Sequence, residues 1–353
     1  HCEWHGPVHL FLRSAREYRD PVLQGFAMDL AKDGIGLTRT GSWLNMLWFD
    51  PSLAGKPHTA LPTSRFFRDL DFFSARSGWD TDAVMFAFKC GNNACRTTID
   101  RYPGRDLGSG HAHPDAASFQ IFAFGEWLAI DTGYTHYKLT RDHNTLVVNG
   151  LQQLGGERIW FDVMECYSNG GWPHITHVDS APAFDYARAD ASTIYRPQAG
   201  LTRFIRHMIF LKPADILIVD ELEADRPSTF EWRLHADDEI TGSGNNFEIR
   251  KNEARLAVDF LAPRNITSAI ARSPLEARTE IHDGDPLVLS VTPAEPAAAT
   301  TFITLMTAYC GAKPSTSASA SIDSGILTAS ITKDGVKKSL TLDLNKGKVT
   351  LQT

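Results

Sequence analysis

No stretch of this chain approaches the roughly 20 apolar residues that a bilayer-spanning helix needs, and no basic, apolar and small-residue signal opens it. A helical membrane protein is thereby excluded, and the start at His1 reads as a mature or truncated end. Basic excess is missing too: Lys and Arg total 35 against 42 Asp and Glu, a formal net charge of -7. That balance excludes a nucleic-acid or membrane-surface partner held by bulk electrostatics, while leaving room for a local basic groove that grips an anionic polymer. Cysteine is scarce, five in 353 residues, with neither a CxxC pair nor a second cluster, so a zinc ribbon is excluded. Cys90 and Cys95 are spaced to close a small disulfide loop across Gly91-Asn92-Asn93, and a pair of free buried thiols fits the same spacing.

What the chain does hold is an ordinary globular composition, 42% hydrophobic and 22% charged, sufficient for one large or two ordinary domains. Residues 7–33 have helical periodicity. Leu10, Phe11, Ala15 and Tyr18 share one face, Asp20-Pro21 restarts a helix with Asp20 as cap, and Leu23, Phe26, Ala27 and Leu30 repeat before Gly34. A short aromatic stretch, Trp43 to Phe49, leads into a Pro/Gly linker, Asp50 to Pro62. Beyond it the pattern switches to short alternating segments, with strands predicted at 72–77, 83–89, 119–124, 127–131, 146–149, 201–211, 216–221, 229–235, 257–261, 287–292, 301–308 and three more ending near 352. So many antiparallel-looking strands and so few helices predict a mainly β protein, a large antiparallel β-sandwich, because stacked sheets cover both hydrophobic faces. The expected domains are a helical segment, 1–56, and the sandwich, 57–353. The Ser/Ala-rich run 315–321 is expected to be a loop.

Chemistry-bearing residues gather between Gly108 and Asn149: His111-Ala112-His113-Pro114-Asp115, then Asp131, then His143-Asn144. Apolar alternating segments flank them, which places them at strand ends or facing one another across strands. A tetrahedral zinc site takes neutral imidazole nitrogen and carboxylate oxygen, and His113, Asp131 and His143 supply that set. On an extended segment His111 and His113 point the same way, so both would face one cleft. Asp115 is expected to orient a neighbouring histidine or to cap the turn after Pro114.

The runs Gly110 to Phe119, Phe124 to Tyr134 (with Asp131-Thr-Gly-Tyr134) and His143-Asn-Thr-Leu-Val-Val-Asn-Gly150 resemble the signature of the heparinase II/III-like polysaccharide lyases, whose relatives include exolytic alginate lyases. Leu61 to Leu70 leading to Arg76-Ser-Gly-Trp79, and Arg206 to Asp220, fit the same pattern, so the likeness spans roughly residues 60–235. The resemblance implies a helical (α/α) toroid preceding a β-sandwich, of which residues 1–56 would be the end. It implies a structural zinc held by His113, Asp131 and His143, with His174 or His177 as fallback for the third ligand because the Asp131 to His143 interval is short. It also implies β-elimination on an acidic, uronate-containing polysaccharide such as a glycosaminoglycan or alginate, by a periplasmic or secreted protein, as monomer or oligomer.

That chemistry needs cations or donors on the C5 carboxylate, a base for the C5 proton and an acid for the departing oxygen. Tyrosine and histidine suit the proton steps. The resemblance places His111 by the reacting sugar, with Tyr134 or Tyr137 as its partner in catalysis. Arg101, Arg105, Lys138 and Arg141 bracket the same loops as candidates for binding carboxylate or sulfate. Trp160, Phe161 and Trp172 are candidates to line a saccharide groove, whereas Trp79, Phe86 and Phe88 are expected to fill the core and His235 to be a packing residue. Only about 55 residues precede the sandwich, so most of a toroid, with the base and acid it supplies, is missing. The chain therefore reads as part of a lyase or, alternatively, as a non-catalytic zinc-stabilised carbohydrate-binding sandwich. A third reading, a metal-dependent hydrolase, would need Asp115 or Glu126 as base beside a metal-bound water.

Overall fold

The computed structural model describes residues 8–35, 43–92, 95–106, 109–273 and 285–352. The chain divides at Pro62 into two units, His1–Pro62 and Thr63–Thr353. In the first, helices α1 (Val8–Tyr18), α2 (Pro21–Lys32) and α3 (Trp43–Trp48) follow from local signals. Asp20 caps α2, its carboxylate accepting from the Val22 and Leu23 amides at 2.8 and 3.3 Å, with Pro21 in the first turn. The buried faces differ from those that periodicity predicts. α1 buries Val8, Leu12 and Ala15 and leaves Leu10 and Tyr18 exposed; α2 buries Gln24 and Gly25 beside Ala27. Gln24 can be buried because its amide donates to the carbonyls of Asp50 and Leu53 and accepts from the Asp50 amide. Gly25 lies where a Cβ would stand 2.0 Å from the Lys56 carbonyl oxygen, so the passing backbone admits no larger residue.

The second unit is built of antiparallel sheets. β1 (Ser64–Phe67), β2 (Phe72–Arg76), β3 (Val84–Lys89), β4 (Ser118–Ala123) and β5 (Glu126–Ala129) form a five-stranded meander. β6 (Leu146–Val148) belongs to another sheet. β7 (His174–Ala181), β8 (Phe184–Asp190), β9 (Leu201–Leu211) and β10 (Asp215–Ser228) lead into β11 (Phe230–Ala236), β12 (Glu239–Ser243), β13 (Asn246–Lys251), β14 (Ala254–Ala262), β15 (Ile266–Arg272), β16 (Leu287–Pro293) and β17 (Ala297–Cys310). Eight of these make a sheet in the order β12-β13-β14-β17-β10-β9-β8-β7, and four more make β15-β16-β11-β6. β18 (Thr316–Asp323), β19 (Ile326–Lys333), β20 (Val336–Asp343) and β21 (Lys348–Gln352) close the chain as a four-stranded sheet.

The central strands of the eight-stranded sheet explain the arrangement. Along β9, Phe204, Met208 and Phe210 enter one core while Ile209 and Leu211 enter another; along β10, Ile216 and Ile218 oppose Leu217 and Val219 in the same way. Strands buried on both faces need continuous apolar runs, which is what Met208 to Leu211 and Ile216 to Val219 provide. The front core joins this sheet to the five-stranded meander and to β6, β11 and β16. The back core packs it against the C-terminal sheet through Leu327, Ala329, Ile331, Leu340 and Leu342. The run 315–321, expected to be a loop, is therefore almost wholly strand β18: its alternate residues Ala318 and Ala320 pack on the back core while the serines between them face outward. Small residues hid a period-2 pattern that larger ones would have displayed.

Cys90 and Cys95 are free thiols, so the disulfide expected as one alternative is absent. Cys90 is buried in the front core, burial pushing its thiol up, while Cys95 Sγ lies 2.7 Å from Thr98 Oγ1. Phe86 and Phe88 are fully buried as expected, but Trp79 is not in the core; the Arg76 guanidinium lies 4.1 Å over its ring. Among the described residues no helix is long and apolar enough to cross a membrane.

Candidate active site

One wired interior holds the loops that carry the chemistry. Arg206 and Asp220, paired directly across β9 and β10, are both fully buried and joined by two bonds of 2.6 and 2.8 Å. The remaining guanidinium nitrogen donates to the carbonyls of Ala117 and Asn144, at 2.6 and 3.1 Å, and Trp232 Nε1 donates to the second Asp220 oxygen. Asn144 in turn donates to the carbonyls of Phe119 and Ile130 and accepts from the backbone and ring of His235. Gln153 grips Ala116 by both its amide and its carbonyl. The segment 113–118 and His143 are thus fixed by buried, satisfied hydrogen bonds, a network costly to leave half-made.

These loops bring His111, His113, Asp131, Tyr134 and His143 to one cleft of about 390 Å³. His111 ends a short 3-10 turn, Ser109–His111, rather than lying on an extended strand, yet both histidines reach the cleft. His113 Nδ1 lies 3.2 Å from His143 Nε2, and His143 Nδ1 lies 2.7 Å from Asp131 Oδ2. Asp131 Oδ1 accepts from the Gly133 amide at 3.0 Å. Burial, with the neighbouring His143, lowers His113 to about 3 and keeps it neutral. Burial works against charge on His143 as well, but the Asp131 carboxylate outweighs it and raises that imidazole. At Asp131 burial is likewise outweighed, by the charge and hydrogen bond of His143, and the carboxyl is held well below its ordinary range.

The three expected zinc ligands therefore meet, but in series: Asp131 holds the far nitrogen of His143, as a carboxylate that orients a ligating histidine does. Among the described residues no group of three His, Cys, Asp or Glu side chains is disposed to hold a metal ion. The two imidazoles do fit one. Their facing nitrogens, 3.2 Å apart, are near the ligand separation of about 3.3 Å that zinc–nitrogen bonds of about 2.0–2.1 Å give in a tetrahedron. The fallback ligands lie elsewhere: His174 Nδ1 bonds the Trp172 carbonyl oxygen and the His177 ring packs against Tyr186.

On the cleft's open side His111 Nδ1 lies 2.8 Å from the Tyr134 hydroxyl, and Trp160, 55% exposed, meets the His111 ring edge-on with centroids 5.0 Å apart. Lys138 is fully buried beneath Tyr134, its ammonium 3.5 Å from the ring centroid and bonded to the Thr135 carbonyl; burial lowers it to about 8. It supports the tyrosine from below instead of facing substrate, which corrects its expected binding role.

Tyr137, Arg101, Arg105 and Arg141 do not line the cleft. The three arginines are exposed; Arg101 lies over Tyr102, and the Arg141 backbone is held by Gln152 and Arg233. Phe161 is buried in the front core, and Trp172, half-exposed, stacks on Tyr167. Asp115 pairs with Lys89 at 2.5 Å while its amide donates to the His113 carbonyl at 3.0 Å, and Glu126 bonds Asn252, outside the cleft. Lys89, with Phe72, Ser118 and Gln120, lines the cleft and was not predicted. The signal lies in register: Phe72, Lys89 and Ser118 are cross-strand neighbours, so a lysine ending β3 falls beside the histidine loop.

The fold of this chain is shared with solved heparan sulfate lyase and heparinase III structures. Heparan sulfate lyase HepC from Pedobacter heparinus superposes with a TM-score of 0.67 at 16% identity, covering 96% of this chain and 48% of that one. A heparinase III gene product gives 0.66 at 15% identity, over 95% and 47%. Another heparinase III gives 0.61 at 11%, over 93% and 48%. The chain thus spans about half the length of the solved structures it matches. No curated protein matches it. Residues 63–284, more than half of the chain, match the heparinase II/III-like, C-terminal family, and the chain belongs to that family.

Proposed function

We propose that this chain is the sandwich portion of a lyase that cleaves uronate-containing polysaccharide by β-elimination, working in the periplasm or outside the cell. The observation that carries the reading is the His111–Tyr134 contact of 2.8 Å at the open side of the cleft, with Trp160 against His111 at its rim. A phenol and an imidazole in contact can remove a proton from one substrate atom and deliver one to another. Trp160 offers a flat apolar face on which a sugar ring can stack. Family membership and the fold of three lyases support the same chemistry.

Zinc is part of the proposal, with His113 and His143 as the residues that would hold it and Asp131 as their support. Bound there, a divalent ion supplies a rigid brace for the loops beneath the cleft. Replacing His113 by Ala separates the roles: loss of folded protein marks a structural metal, whereas a folded but inactive protein marks a catalytic one.

Incubating the full-length parent protein with heparin, chondroitin sulfate and alginate, and following ultraviolet absorbance of the new C4–C5 double bond, tests the reading. A rise on one polymer is expected, and Tyr134→Phe is expected to lower its rate by about 10²–10⁴-fold. No rise on any uronate polymer overturns it. A second reading, a binding sandwich without turnover, rests on Trp160, 55% exposed beside His111, a flat face that can hold a sugar without any reaction. Glycan affinity without absorbance change in the full-length protein would select it.

A further inference from the structure

The cleft has two unlike walls. One carries His111, His113, Asp131, Tyr134 and His143; the other is the face of the five-stranded sheet. On that face Phe72, Lys89 and Ser118 form one cross-strand row, with Ala87 and Gln120 in the next. Among the described residues that line the cleft, Lys89 carries the permanent positive charge; the arginines expected from sequence do not line it, and Lys138 lies beneath Tyr134. Both lining carboxylates are engaged, Asp131 with His143 and Asp115 with Lys89.

We propose that Lys89 binds the carboxylate of the uronate residue undergoing reaction, with Asp115 holding the ammonium across the cleft until the sugar arrives. The inference rests on the lyase reading and deepens it. Asp115 is two residues beyond His113, so its 2.5 Å bond to Lys89 ties the sheet wall to the histidine wall and extends the lysine toward the reacting groups. The pair is partly open, 28% of the Lys89 side chain and 15% of Asp115 being exposed, and such pairs are held only weakly against a competing anion. A preset lysine spares the incoming sugar the entropy of ordering it. In the reaction, the C5–H electron pair forms the C4–C5 double bond as the base takes the proton. The C4–O4 bond breaks with its pair on the departing oxygen, which gains a proton from the acid. Negative charge spreads into the C5 carboxylate as the proton leaves, and an ammonium beside it favours that step.

Calorimetric titration with unsulfated alginate, heparosan and chondroitin tetrasaccharides, each beside its carboxyl-reduced form, tests the assignment. Lys89→Met is expected to weaken binding of the acidic sugar by about 10- to 100-fold and to leave the reduced sugar unchanged. Lys89→Arg should restore most of the loss, and both variants should melt like the parent chain. If the unsubstituted protein prefers the acidic sugar and Lys89→Met binds it equally well, the Lys89 assignment is overturned while the lyase reading stands. If the unsubstituted protein binds none of the sugars, the lyase reading falls and the assignment with it.

Discussion

The two cores on either side of the eight-stranded sheet are built from the same two strands and differ in kind. The back core is mostly aliphatic: Ile209, Leu211, Leu217 and Val219 meet Leu327, Ile331, Leu340 and Leu342, with Lys333 and Lys338 paired to Asp215 at its edge. The front core contains Phe204, Met208 and Phe210 but also a buried Arg206–Asp220 pair, Trp232 Nε1 and the four-way bonded Asn144. Aliphatic packing stabilises a fold without fixing which loop lies where. Directional bonds from Arg206 to Ala117 and Asn144 do fix it, and those are the loops carrying His113 and His143. The buried polar groups of the front hold the loops of the site, whereas those behind, His207 with Tyr186 and Glu221 and Lys212 with Asp185, bond within the sheet itself.

Three substitutions or conditions test that division. Arg206→Ala leaves Asp220 buried and unpaired and frees two loop carbonyls, with an expected loss of about 3–5 kcal/mol in denaturant unfolding. Any protein that still folds should also show a displaced cleft, seen as shifted imidazole resonances of His113 and His143. Leu217→Ala in the back core should cost about 2–5 kcal/mol by the cavity it leaves, with those resonances unmoved. If both variants disturb the imidazoles alike, the front core has no special hold on the site. The smallest effect is one of pH. His207, which contacts the back-core Tyr186, and His235, bonded to Asn144 at the front, are both pushed down by burial. The folded chain stays neutral there while unfolded histidine gains a proton near pH 6.5. The stability these two histidines contribute is therefore present above about pH 6.5 and is lost as pH falls through that value. His207→Gln should make that loss shallower; an unchanged slope would count against the histidine's part in it.

Legibility in the sequence followed the same division. Strands with apolar runs, such as Met208 to Leu211 in β9 and Ile216 to Val219 in β10, are readable because both faces are buried there. β1, β7, β8, β12, β13 and β15 were not, since exposed faces or interspersed charged residues dilute the alternation. Within α2 the buried seam runs through Gln24 and Gly25, which a hydrophobic period passes over. At the site, the histidines, Asp131 and Tyr134 were legible as a motif. Their order of contact was not, because it depends on which nitrogen of His143 faces Asp131. Lys89 escaped notice because it is adjacent to the motif across strands and distant along the chain.

β9 and β10 also have a consequence for how the chain finds its alignment. A slip of one position would turn Arg206 toward the aliphatic side, strand Asp220 without its mate and deliver Ile209 where Met208 belongs. Most sheets check their pairing from a single covered surface. Here a mis-threaded strand is rejected from two directions at once.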